Sequence, residues 1–184
     1  FGFFGETLHN PDGTPYLKTL AISNISWDEQ STRFFAEHAP AGMEFRNLNT
    51  LFGQVLKTGK PLLSNAPEKH PQSGGTPAGH PPLNAFLGLP IMHGQQQIGM
   101  LGLANRPGGY NEELINDLQP LLASLAQMIE ATLRERALSQ QRALQQKQQR
   151  AMAVLNEIAA RPTLEVDTQI RRGMQLAAEF FCLP

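Results

Sequence analysis

Residues 86–104, FLGLPIMHGQQQIGMLGLA, decide the fold. Two apolar runs, FLGLPIM and QQIGMLGLAN, flank the polar turn His93-Gly94-Gln95-Gln96. Each run is apolar on both parities, and a strand with two apolar faces is one covered on both sides. The stretch therefore predicts a β-hairpin at the interior of a sheet. Glycines within GLPI and IGMLGL allow close backbone approach or tight bends, as a curved sheet requires, although ordinary bulges account for any single one of them.

Upstream, FGFFGETL and TPYLKTLAIS surround Asn10-Pro11-Asp12-Gly13, a second hairpin signal. Asp28 offers an N-cap for EQSTRFFAEHA, and Asn47 or Asn49 does so for TLFGQVLKTG, with Gly59 placed as its C-cap. Lys60-Pro61-Leu62-Leu63-Ser64 reads as a short strand. Between 66 and 82, eight of seventeen residues are Pro or Gly, which excludes a helix or a central strand and predicts a long surface loop.

Downstream, the period changes. Leu114, Leu118, Leu121, Leu122, Leu125, Met128, Ile129 and Leu133 recur at spacings of three and four, an amphipathic helix with Pro120 as a kink. From Leu133 the positions Ala137, Gln140, Leu144, Lys147, Ala151, Val154 and Ile158 continue in strict 4-3 alternation, a heptad seam weakened by Gln140 and Lys147. A solvated connecting helix is the plainer alternative, since six Gln lie between 140 and 149. Arg161-Pro162-Thr163 stops this helix, and LEVDTQIRRGMQLAAEFF begins another.

The chain has 184 residues, room for one ordinary domain plus something extra. Its content, 41% hydrophobic and 17% charged, suits a packed core. A formal charge of −1 lacks the basic footprint of a nucleic-acid binder, so no such partner is expected. The single cysteine, Cys182, permits neither an internal disulfide nor a cysteine zinc site and fits a reducing compartment. No apolar run approaches the ~20 residues that span a bilayer, and no signal segment opens the sequence, so the expected location is cytoplasmic. An opening Phe1 within an apolar run, and a stop just after Phe180-Phe181, read as ends cut from something longer.

Catalytic signatures are missing. There is no G-x-S-x-G, GQVLKTGK has the wrong spacing for a phosphate loop, and Cys182 lies outside the compact region. The five histidines show no metal-binding spacing, and Asp12, Glu44 and Glu68 lie in separate loops. No enzyme activity and no metal are expected.

Taken together, FGFFGE, AISNISW, LFGQVLKTGKPLLSN, GHPPLNAFLGLPI and IGMLGLANRPGGY resemble the GAF family of sensory and regulatory domains, in particular the bacterial type of histidine kinases and cyclic-di-GMP signalling proteins. The resemblance covers about residues 1–135. It implies an α+β fold, an antiparallel sheet of about six strands flanked by helices, with a ligand cavity on one face and a long signalling helix after it. It further implies that an N-terminal helix is missing before Phe1, that 136–160 is a helical signalling linker with the pattern of a coiled coil, and that 161–184 is the first helix of a truncated second GAF domain. No covalent bilin is expected, because this region has no cysteine to attach one.

On that reading Trp27 and Phe45 belong to the cavity wall and roof, where aromatic faces stack a planar or apolar ligand, although core packing uses the same residues equally well. His80, between Gly79 and Pro81-Pro82, is placed either to meet a ligand carbonyl or carboxylate or to cap a backbone group. Arg106, after Asn105, offers a planar fork to an anion or ties the Pro107–Gly109 turn. Tyr110 closes that turn, and Asn65 and Phe86, bordering the Pro-rich loop, complete the candidate set. The expected function is a non-catalytic small-molecule-sensing input domain that acts through its C-terminal helix on an absent output domain, as a homodimer through 111–160. A structural dimerisation module with no ligand is the alternative.

Overall fold

A computed structural model describes residues 1–23, 29–38, 41–74, 82–159, 168, 170–171 and 173–175. Trp27, His80, the proposed cap Asp28, Cys182 and the Arg161-Pro162-Thr163 stop lie outside the described residues. By its contacts the chain divides into two units, Phe1–Ala131 and Thr132–Pro184.

In the first unit, β1 (Gly2–His9) and β2 (Pro15–Ile22) form an antiparallel hairpin. Its turn is held by Asp12, whose Oδ1 accepts from the Thr14 backbone N–H at 2.9 Å and the Thr14 hydroxyl at 2.6 Å. The Thr14 hydroxyl, then its backbone N–H, hold the Asp12 carboxyl below the usual carboxylate range. Helix α1 (Glu29–His38), the two-residue β3 (Glu44–Phe45), α2 (Leu51–Thr58) and β4 (Leu62–Ser64) follow. The hairpin of the opening stretch is β5 (Phe86–His93) and β6 (Gln96–Ala104), turning through Gly94-Gln95 with Gly94 at φ +60°.

The six strands make one sheet in the order β3-β2-β1-β6-β5-β4. β6 is paired along both edges, to β1 and β5, and so lies in the interior of the sheet. Pro90 is tolerated in β5 because β4 pairs only with Phe86–Gly88, so the missing N–H falls where no further strand lies on that side. One face of the sheet carries Leu87, Leu89, Ile91 and Leu101 against Leu122, Leu125, Ala126 and Ile129. The opposite face carries Leu17, Phe86 and Met100 against Leu51, Val55 and Leu56 of α2. Gly99 is needed for the first of these: a Cβ there would lie 2.5 Å from Ile129 Cδ1 and 2.5 Å from the Gly5 carbonyl oxygen.

Three local expectations are corrected. The N-cap of α2 is Thr50, not Asn47 or Asn49: its Oγ1 accepts the Gly53 N–H at 3.1 Å, while Asn47 Oδ1 is taken by the Asn49 N–H. Gly59 does cap the C-terminus, at φ +64°. Among its described residues the Pro-rich stretch holds a 3₁₀ turn, Pro67–Lys69, because Pro is at home in a first helical turn. The helix expected from 111 is two, α3 (Glu112–Asp117) and α4 (Gln119–Ala159). Pro120 cannot donate to the preceding turn, so the regular helix is interrupted at Leu118, across which the Leu118 N–H still bonds the Leu114 carbonyl at 3.0 Å and the Leu122 N–H the Leu118 carbonyl at 2.9 Å.

In the second unit α4 continues, and Leu138, Leu144, Met152 and Leu155 are all more than half exposed. Of the heptad positions, Ala151 and Val154 are half-buried, and the side chain of Ile158 lies outside the described residues. No helix among the described residues is long and apolar enough to cross a membrane.

Candidate functional site

The α2 side of the sheet is built from alternate residues of β1, β2, β5 and β6, which the pleat sends to one face. Leu17 is fully buried there, paired across the strands with Phe45. The Phe45 ring meets Phe3 edge-on at 5.3 Å between centroids and Phe52 at 5.4 Å. Phe86 is buried in the same cluster, next to Met100 and Val55. Two hydroxyls sit on this face of the hairpin. Thr19 Oγ1 accepts the Met43 N–H at 2.7 Å, whereas Thr7 Oγ1 is buried with no hydrogen-bond partner among the described residues. Thr7 gave no signal in the sequence, because threonine is an ordinary strand residue.

Four other candidates gather at the end of β6 and tie the borders of the Pro-rich loop to the connector 105–110. Asn65, just after β4, donates from Nδ2 to the Tyr110 carbonyl at 2.9 Å and accepts the Tyr110 N–H on Oδ1 at 2.8 Å. Gly109 makes this possible, since a Cβ there would lie 2.6 Å from Asn65 Oδ1. Asn105, in the left-handed region at φ +55°, binds the other border of the loop. Its Oδ1 accepts the Asn84 N–H at 2.8 Å and the Ala85 N–H at 3.3 Å, and its Nδ2 donates to the Pro82 carbonyl at 2.8 Å. Arg106 Nη1 donates to the Gly109 carbonyl at 2.9 Å and is exposed. Tyr110 is buried in the core on the α4 side, and that burial pushes its phenol pKa up.

The described candidates therefore do not form one cluster. Phe45 and Phe86 share the α2 face, Tyr110 belongs to the opposite core, and Asn65, Asn105 and Arg106 are committed to backbone groups around the loop borders. A further polar contact joins the β5–β6 hairpin to α4, where His93 Nδ1 meets Glu130 Oε1. Among the described residues no group of three His, Cys, Asp or Glu is placed to hold a metal ion.

A family model described as GAF domain matches residues 2–130. The methyl sulfide methyltransferase-associated sensor of Methanosarcina acetivorans is 28% identical over 89 residues, which is 48% of this chain and 9% of the relative's own length. Among solved structures, the GAF domain of a phosphoenolpyruvate-protein phosphotransferase from Coxiella burnetii is similar at a TM-score of 0.56 and 17% identity, with 74% of each chain covered. The corresponding domain from Acinetobacter gives a TM-score of 0.48 at 18% identity over 70% of each chain.

Proposed function

The chain belongs to the GAF family, and on that premise we propose that it is a non-catalytic, small-molecule-sensing input domain of a cytoplasmic signal-transduction protein. The observation that carries this reading is the double role of α4. Its first turns, Leu122 to Ile129, are part of the core on one face of the sheet, and the same helix runs on past the compact unit to Ala159. A change in how the sheet packs is thereby a change in the seating of the helix. The apolar face containing Phe45 and Phe86 is the proposed ligand side, while Asn65 and Asn105 hold the borders of the Pro-rich loop and Arg106 and Tyr110 belong to the connector they bind. Output would pass through α4, with 136–160 as the linker, to a domain beyond this chain.

The test is native mass spectrometry of the purified chain combined with a thermal-shift screen of metabolites. A ligand that binds the folded state at one hundred times its Kd stabilises by about 2.7 kcal/mol, a readily measured rise in Tm. Phe45→Ala should diminish that rise for the same compound. If no ligand is retained and no compound shifts Tm, the sensing proposal fails.

A second reading rests on a different observation: Phe3, Phe45 and Phe52 already pack on one another across the α2 face. The domain would then be a dimerisation module working through 111–160. In that case Gln140→Leu with Lys147→Leu should tighten dimers in sedimentation experiments while leaving signalling by the intact protein unchanged.

A further inference from the structure

Thr7 of β1 pairs with Leu17 of β2, and cross-strand partners share a face, so its side chain lies on the side of the sheet that carries Leu17 and Phe45. Its Oγ1 is buried, yet no hydrogen-bond partner reaches it among the described residues. Thr19, Thr50 and Ser64, the buried hydroxyl residues of the fold, are all committed. Thr19 Oγ1 accepts the Met43 N–H at 2.7 Å, and Ser64 Oγ accepts the Ala66 N–H at 3.3 Å. Thr50 Oγ1 accepts the Gly53 N–H at 3.1 Å and donates to the Asn47 carbonyl at 2.9 Å. A hydroxyl withdrawn from water without a partner opposes folding, and a partner supplied from outside the chain accounts for keeping one. We propose that Thr7 is the hydrogen-bonding residue of the α2-side ligand site and selects a compact, uncharged aromatic molecule carrying one hydroxyl or carbonyl group.

The apolar groups beside it are aromatic. Thr7, Leu17 and Phe45 are successive neighbours across β1, β2 and β3, and the Phe45 ring meets Phe3 at 5.3 Å and Phe52 at 5.4 Å between centroids. Rings of this kind receive another ring edge-on or offset. A threonine hydroxyl can donate to a carbonyl or accept from a hydroxyl, so either group on the ligand satisfies it.

Charge decides the rest of the ligand class. Among the described residues the one buried charge is Glu6, opposite Gly99, and the Cβ position of Gly99 faces Ile129 on the other side of the sheet. An ion entering the α2 side would find no buried countercharge there among the described residues, which is unfavourable. A neutral group needs none. Binding at this face rests on the sensing role proposed above; the residue that selects the ligand and the ligand's class are what Thr7 adds.

The experiment titrates the full chain with phenol, toluene and phenyl phosphate, reading Kd by ligand-observed NMR. Phenol and toluene have nearly the same shape, so the ratio of their affinities isolates the hydroxyl. In wild type phenol should bind about three- to tenfold more tightly than toluene, the yield of one net hydrogen bond, and phenyl phosphate should not displace it. Thr7→Val keeps the side-chain shape and removes the hydroxyl. It should bring the ratio to one, and its Tm without probe should equal or exceed that of wild type. Thr19→Val, which strips the Met43 N–H of its acceptor, should instead lower Tm. A ratio of one in wild type, a ratio that survives in Thr7→Val, or displacement of phenol by phenyl phosphate overturns the proposal. So does a lower Tm for unliganded Thr7→Val, which would show the hydroxyl serving the fold. If none of the three probes binds, the ligand class assigned here is wrong, whereas a metabolite of another class that raises Tm would leave the sensing role standing.

Discussion

Asn65 and Asn105 perform the same task from opposite borders of the Pro-rich loop, each replacing the backbone partners a strand would have supplied. Asn65→Ala leaves the Tyr110 N–H and C=O without their partner, and a cost of about 1–3 kcal/mol is expected in urea unfolding. Asn105→Gly should cost less than Asn105→Ala, because glycine keeps the left-handed backbone and loses only the hydrogen bonds. Gly99→Ala is a severe change: the added methyl would meet both Ile129 and the Gly5 carbonyl, and expression without a folded core, seen as loss of near-UV dichroism, is the expected outcome. The sequence allowed two uses for Arg106, and in the structure its guanidinium bonds the turn carbonyl of Gly109. Spacing could not show this, because a donor three residues from a carbonyl serves a turn or a ligand equally well.

At the level of elements, α2 and the β1–β2 turn allow direct tests. Thr50→Ala removes the acceptor for the Gly53 N–H, and a loss of about 1 kcal/mol is expected by chemical denaturation, whereas Asn47→Ala should cost less. The Asp12 carboxyl has a lowered pKa in the folded state, so its contribution is present above the unfolded value and is lost as pH falls through the folded one. Asp12→Asn should therefore flatten the acid limb of the stability–pH curve and lower the curve above it by a pH-independent amount, leaving its slope above pH 7 unchanged. Most elements were legible in the sequence. The β5–β6 hairpin declared itself by apolar residues on both parities, and its partner hairpin by Asn10-Pro11-Asp12-Gly13. Caps and breaks were less so: Asn47, Asn49 and Thr50 are all competent caps within four residues, and only the tertiary path of the chain selects one. Likewise Pro120 announces a disturbance, but whether it bends one helix or separates two depends on what Leu118 packs against.

For the molecule as a whole, both cores are made, among the described residues, from residues that end at Ile129. A fragment ending at 135 should accordingly unfold in one cooperative transition, with a midpoint close to that of the full chain; a broad, non-cooperative melt would show that the helix beyond is needed for folding. The candidate site was less readable at this scale. Residues adjacent in sequence, such as Ala85 and Phe86, belong to opposite cores, and it is the pleat of the strand that separates them. The strand order has a kinetic consequence. β1–β2 and β5–β6 are each local hairpins, but the centre of the sheet joins Gly2 to Leu103, across about a hundred residues of chain. Closing so large a loop must precede any reward from that pairing. The two hairpins should therefore form early, and their docking along β1 and β6 should limit the folding rate. Substitutions at that seam would slow refolding, whereas those at the hairpin turns would act before the barrier.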